Sequence, residues 1–290
     1  MNDSEFKTLA WADMKVVWIA SDRIEETISF YEREQLDGFI LSPLFGYKRE
    51  DLDFLSSTPD VRCLVLLDSK KRDIDSICQL NKLEYLSLDG NKQPIDFSKF
   101  PVLRGLWTDW HAKLTTDNLP QSLEILRLDG FNPKSKSLNE LRELKKLEDL
   151  TFVKSTIEDL DGIQKYPNLH RLVLAYMRNL SDISTLGEGK NKKLTYLELG
   201  NCKKLSDYSP IGNINSLVEC VIDKCGPIPS LTFMKDLPKL TDFRFLDTKV
   251  LDGDMTPLMK SASLRGTAFT NSPEYSHKEK EVKSFLDGRK

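Results

Sequence analysis

A chain of 290 residues allows two domains at roughly 150 residues each, unless it is one elongated array exempt from that limit. Its 39% hydrophobic and 30% charged content excludes a disordered tail or a low-complexity polymer. Forty-two Lys and Arg against 45 Asp and Glu leave a net charge of −3, without the basic excess of a general nucleic-acid binder. The five cysteines are odd in number and unevenly spaced, which does not suit a disulfide scaffold and reads as a reducing cytoplasm. Neither a secretory leader nor 18 consecutive uncharged apolar residues can be read from the sequence, so no membrane association is expected.

In chain order, MKVVWIA from Met14 reads as a strand, and the apolar spacing of IEETISFYERE from Ile24 predicts an amphipathic helix starting after Ser21 or Asp22. Together they form an expected N-terminal cap over residues 1–35. A short pattern then recurs, apolar at positions 1, 4 and 6. Its copies are LDGFIL from Leu36, VRCLVL from Val61, LEYLSL from Leu83, LRGLWT from Leu103, LEILRL from Leu123, LEDLTF from Leu147, LHRLVL from Leu169, LTYLEL from Leu194, LVECVI from Leu217, LTDFRF from Leu240 and a decayed LRGTAF from Leu264. The intervals run between 20 and 25 residues across these eleven copies. Apolar alternation at positions 4 and 6 marks a short strand with one buried face, and position 1 turns the chain inward before it. Between the strands, Asp159, Asp182 and Asp207 precede short apolar turns, where a carboxylate accepts from free backbone N–H groups. One such unit cannot bury its apolar face alone, so the units over residues 36–272 are expected to stack into a parallel sheet with the turns opposite. Residues 273–290, SPEYSHKEKEVKSFLDGRK from Ser272 onward, read as a charged helical cap or tail closed by Gly288.

These copies, with LSDISTL before LTYLELGNC and LSDYSPI before LVECVIDKC, resemble the leucine-rich repeat family, in the 22-residue class of bacterial internalin-like proteins. The resemblance implies an α/β leucine-rich repeat solenoid: a horseshoe with a parallel concave β-sheet, short helical or 3₁₀ turns on the convex side, and caps at both ends. One segment, LPQSLEILRLDG from Leu119, is similar to the shorter repeats of bacterial effectors that carry a separate ubiquitin-ligase domain, which has no counterpart in this chain. The family places Asn, Cys, Ser or Thr at position 9 to bond the backbone of adjacent turns. Ser69, Asn91, Ser155, Cys202, Cys225 and Thr248 stand there, whereas His111, Phe131 and Met177 interrupt the ladder.

Chemistry is sparse. His111, His170 and His277 lie in different segments without a nucleophile motif, and Cys220 and Cys225 lack metal-ligand spacing and read as core and ladder residues. Asp252 and Asp254 open a calcium-like loop that lacks its closing Glu, and no phosphate-binding glycine motif occurs. No catalytic residue, metal site or cofactor is therefore assigned, and the chain is not expected to be an enzyme.

What remains is the concave face, on which positions 3, 5 and 7 form columns across the strands. Trp18, Ile40, Val65, Leu67, Tyr85 and Trp107 are expected to form an exposed apolar patch, with the cap as an alternative cover for Trp18 and Ile40. Asp89, Asp109 and Asp129 should stack as an acidic column beside Arg127 and Trp110, and Asp149, Arg171, Tyr196 and Glu198 as a second cluster. Aromatic anchors beside carboxylates suit a protein partner with a basic surface. The expected function is a non-enzymatic interaction module, an inhibitor or immunity protein of a toxin or enzyme being the finer reading and a regulatory subunit or scaffold the alternative. Sugar stacking on Trp107 and Trp110 is weaker, and the aspartates oppose nucleic acid.

Overall fold

The computed structural model describes residues 6–68, 72–114, 116–189 and 191–289. Ser69, one of the expected ladder positions, lies outside them. The chain divides into two compact units, Met1–Leu128 and Asp129–Lys290.

The first unit opens with β1 (Thr8–Trp11), which pairs antiparallel with β2 (Met14–Ile19). Sequence reasoning passed over β1 because its four residues show no alternation. Helix α1 (Ile24–Arg33) follows, with Arg23 at its N-cap and no side-chain cap. Ser21, expected there, instead accepts the backbone N–H groups of Lys48 and Arg49 through its hydroxyl. Parallel strands β3 (Gly38–Leu41), β4 (Cys63–Leu66), β5 (Tyr85–Leu88) and β6 (Gly105–Asp109) then add in sequence order. Strand β7 (Ile125–Asp129) ends where the units divide.

The second unit carries β8 (Asp149–Val153), β9 (Arg171–Ala175), β10 (Tyr196–Gly200), β11 (Glu219–Asp223), β12 (Asp242–Leu246) and β13 (Gly266–Phe269), and each of β9 to β13 is parallel to the strand before it. Short 3₁₀ turns connect most strands, the α-helix α2 (Thr256–Lys260) replaces one of them, and α3 (Glu279–Asp287) follows β13. Among the described residues no helix is long and apolar enough to cross a membrane.

Within each unit the repeat pattern builds the core directly. Position-1 leucines such as Leu83, Leu103, Leu169 and Leu194 are fully buried, as are the position-4 and position-6 side chains Leu86 and Leu88, Leu150 and Phe152, Phe243 and Phe245. Burying one such side chain stabilises the fold by about 1.5–3 kcal/mol. The turns supply the opposite wall, through Ile77, Phe97, Ile163, Ile211 and Met234.

The expected turn caps form: Asp159, Asp182 and Asp207 accept the N–H groups of Asp161, Ser184 and Ser209 at 2.7–2.9 Å. Asp252 and Asp254 do the same for Asp254 and Thr256. The position-9 ladder also forms in part. The Ser155 hydroxyl donates to the Phe131 carbonyl, the Cys202 N–H to the Cys225 sulfur, and the Cys225 N–H to the Thr248 hydroxyl. Phe131 and Met177 fill their places with buried apolar bulk.

A regularity unseen in the sequence closes the strands of the second unit. Gly130, Lys154, Tyr176, Asn201 and Lys224 all have positive φ, between 51° and 73°. Each donates its N–H to the carbonyl at position 7 of the following strand, on Val153, Ala175, Gly200, Asp223 and Leu246. The left-handed residue thereby keeps the chain bonded to its neighbour while turning it out of the sheet.

Candidate functional site

The open face of the first unit is built from two columns in the expected register. Val16, Gly38, Cys63, Tyr85 and Gly105 align at position 3, and Trp18, Ile40, Val65, Ser87 and Trp107 at position 5. The expected exposed patch is absent. Ile40 and Val65 are fully buried, Tyr85 is 3% exposed, and Trp18, Leu67 and Trp107 are half-buried around them. The cover reaches beyond Trp18 and Ile40, because the β1–β2 hairpin carries its own apolar side chain across. Trp11 meets Trp107 edge-on at 5.9 Å, and Met14 joins the buried cluster. Trp18 packs against Phe45 at 4.1 Å. Gly105 makes room for this arrangement, since a Cβ there would sit 2.5 Å from the Tyr85 ring and 2.7 Å from the Trp107 ring. Tyr85 is therefore core of the N-terminal unit, and Trp107 packs half-buried against that core.

A charge ladder holds the edge of the same unit. Position 2 alternates as Asp37, Arg62, Glu84, Arg104, Glu124, and each arginine bridges both neighbours: Arg62 to Asp37 and Glu84 at 2.7 Å, Arg104 to Glu84 at 3.4 Å and Glu124 at 3.0 Å. Arg104 also approaches Asp13 at 3.6 Å and lies 5.6 Å over the Tyr85 ring. A bond from Tyr85 and the nearby Arg104 charge hold the Asp13 carboxyl below its ordinary value. Sequence reasoning missed this ladder, although the sign alternation at position 2 was its signal.

Of the expected acidic column, Asp89 is exposed and Asp109 half-buried. One Asp109 carboxylate oxygen accepts the N–H of Gly90 at 2.7 Å. Gly90 has the positive φ of the strand-exit position, so this carboxylate replaces the backbone carbonyl that serves the second unit's repeats. A structural task thus accounts for Asp109. Trp110 and Arg127 are half-buried, as is Asp129, the last residue of β7. Asp89, Asp109, Trp110, Arg127 and Asp129 all have partners of their own within the protein.

The second cluster assembles as expected, on three adjacent strands. Asp149, Arg171 and Tyr196 align across β8, β9 and β10. Arg171 reaches Asp149 at 3.3 Å and lies 4.6 Å over the Tyr196 ring, whose hydroxyl donates to Glu198 at 2.7 Å. Burial pushes the Asp149 carboxyl up, against the pull of Arg171, and raises the Tyr196 hydroxyl to about 12, helped by its bond to Glu198. The row continues in register through Glu219 and Asp242, which Arg244 joins at 3.6 and 2.7 Å. With Asp223 on β11, this face presents five carboxylates (Asp149, Glu198, Glu219, Asp223, Asp242) to two guanidiniums, and none of the seven is fully buried. Among the described residues no group of three or more His, Cys, Asp or Glu could hold a metal ion. Cys220 is buried in the core.

This geometry can be compared with solved structures. An internalin, InlF, from Listeria monocytogenes matches with a TM-score of 0.56 at 17% identity, over 83% of this chain and 77% of that one. A leucine-rich repeat protein of Leptospira interrogans matches with a TM-score of 0.58 at 20% identity, over 83% of this chain and 62% of that one. The fold is the leucine-rich repeat fold. No family model matches the sequence, and no curated protein does. Set on leucine-rich repeats, the side chains from Asp149 to Arg244 occupy the sheet face opposite the turns.

Proposed function

We propose that the chain is a protein-binding module without a reaction of its own, and that the open face of the second unit, from Asp149 to Arg244, grips a partner that presents Lys or Arg. The observation that carries this reading is the face around Tyr196, where Asp149, Arg171, Tyr196, Glu219 and Asp242 align in register and Glu198, Asp223 and Arg244 flank them, five carboxylates to two guanidiniums on one sheet and only partly buried. Aligned carboxylates on neighbouring strands repel one another, which a basic partner relieves. Tyr196, braced by Arg171 on its face and Glu198 at its hydroxyl, is a pre-organised anchor. The internalin-like fold of the similar structures supports an interaction module in general. The finer reading is an inhibitor or immunity protein that occupies the basic site of a toxin or enzyme, in a cytoplasm that keeps its five thiols free.

The test starts from a protein captured by the full chain in its source cell. Glu198→Lys with Glu219→Lys should weaken that protein's binding by roughly a hundredfold, about 2.7 kcal/mol, with the wild-type affinity falling steeply in salt. Unchanged affinity in the double variant would remove this face from the function.

A further inference from the structure

The second unit has another recess, away from the open face, where the turns lead back into the strands. One cavity of about 710 Å³ crosses the returns into β10, β11 and β12, and one of about 580 Å³ crosses those into β12 and β13. Lys235 and Pro238 line both, so the two form one groove over four successive returns. Buried aliphatics floor it, among them Leu186, Ile214 and Leu237.

Its walls are basic. Lys192, Lys235, Lys239 and Lys260 come from three of the returns. None of the four ammonium groups makes a salt bridge or side-chain hydrogen bond among the described residues. Neighbouring lysines differ: Lys165, Lys193 and Lys204 are tied to the carbonyl of Asn139, to Asn168 and to Asn179. Of the two carboxylates in the groove, Asp254 already accepts from the N–H and hydroxyl of Thr256.

We propose that this groove is a second binding site, for an extended acidic segment of a protein, with carboxylates facing the lysines and aliphatic side chains set on the floor. With strands about 4.8 Å apart, four returns span roughly 14 Å, enough for about four residues of extended chain. Asn213 and Asn215 put amide groups along the wall, which suits a peptide backbone. Asp236 and Asp254 oppose the phosphates of a nucleic acid. The site is independent of the open face, so loss of one reading leaves the other standing.

The probe is a fluorescein-labelled hexapeptide of alternating Glu and Leu, titrated against the full chain by fluorescence anisotropy, beside the same peptide with Gln for Glu and a labelled oligo-dT. Binding of the Glu peptide, weakened about tenfold or more by Lys192→Glu with Lys239→Glu and similarly by Gln in the peptide, is the expected result. These lysines are exposed, so the double variant should keep the wild-type circular dichroism and melting temperature. No binding of the Glu peptide below about 1 mM, equal binding by the Gln peptide or by the variant, or tighter binding of oligo-dT would each overturn the proposal.

Discussion

Asp109 shows how a residue chosen for its charge can be occupied by the backbone. Its carboxylate accepts the N–H of Gly90 at 2.7 Å, at a strand exit where the repeats of the second unit use a carbonyl. The far end does likewise, with the Asp247 N–H donating to the Thr270 hydroxyl at 2.9 Å. A bond to a charged acceptor contributes about 1.5–3 kcal/mol, and Asp109 is half-buried, so Asp109→Ala should cost roughly 1–2 kcal/mol in urea unfolding. Asp109→Asn retains an acceptor and should recover most of that. Equal stability of Asp109→Ala and wild type would contradict the structural role. The exit position was hard to read from sequence for a related reason. Gly90, Gly130, Asn201 and Asp247 tolerate positive φ, but Lys154, Tyr176 and Lys224 at the same position disguise it.

At the scale of elements, the β1–β2 hairpin decides how much of the first unit's open face is free. It is held by the stacking of Phe6 on Phe30, by Trp11 on Trp107, and by Asp13 beside Tyr85 and Arg104. The folded Asp13 carboxyl lies below its ordinary 3.8, so the folded chain binds this proton less tightly than the unfolded one. The stabilisation from Asp13 is therefore complete above that value and is lost as pH falls through the lower folded one. Asp13 is largely exposed, so the effect is small, and it is best read locally. Tryptophan fluorescence from Trp11 and Trp107 should change as the pH falls below 3.8, and Asp13→Asn should remove that component. An identical acid titration in Asp13→Asn would separate Asp13 from the hairpin's hold. The strand pattern and the α1 helix were legible in the sequence because periodicity encodes them. The path of β1 was not, because four residues without alternation acquire their role only by pairing with β2.

For the molecule as a whole, a stack of units that each bury their apolar face on a neighbour needs closed ends. Helix α3 closes the last strand through Val282, which is fully buried, and Leu286, at 1% exposure. Truncation before Glu279 should lower the melting temperature by several degrees and promote aggregation, and the milder Leu286→Ala should cost about 2–5 kcal/mol. A truncated chain that melts like the full one would show that α3 is not a cap. Charge, too, is arranged at this scale: the net −3 contains an acid-rich sheet face and a lysine-lined groove within the second unit alone. The sequence by itself determined the repeat, the strand register, the buried positions 1, 4 and 6, and the Asp turn caps, because all of these follow from spacing along the chain. Only the tertiary structure decided which columns of the open face are free. Trp107 and Tyr85 read like Tyr196 in the pattern, yet Trp11, more than seventy residues away in sequence, packs against the cluster that holds the first two, while Tyr196 stays half-buried with Arg171 over its ring. Periodicity fixes the direction of a side chain from its own strand, whereas exposure depends on what another segment places above it.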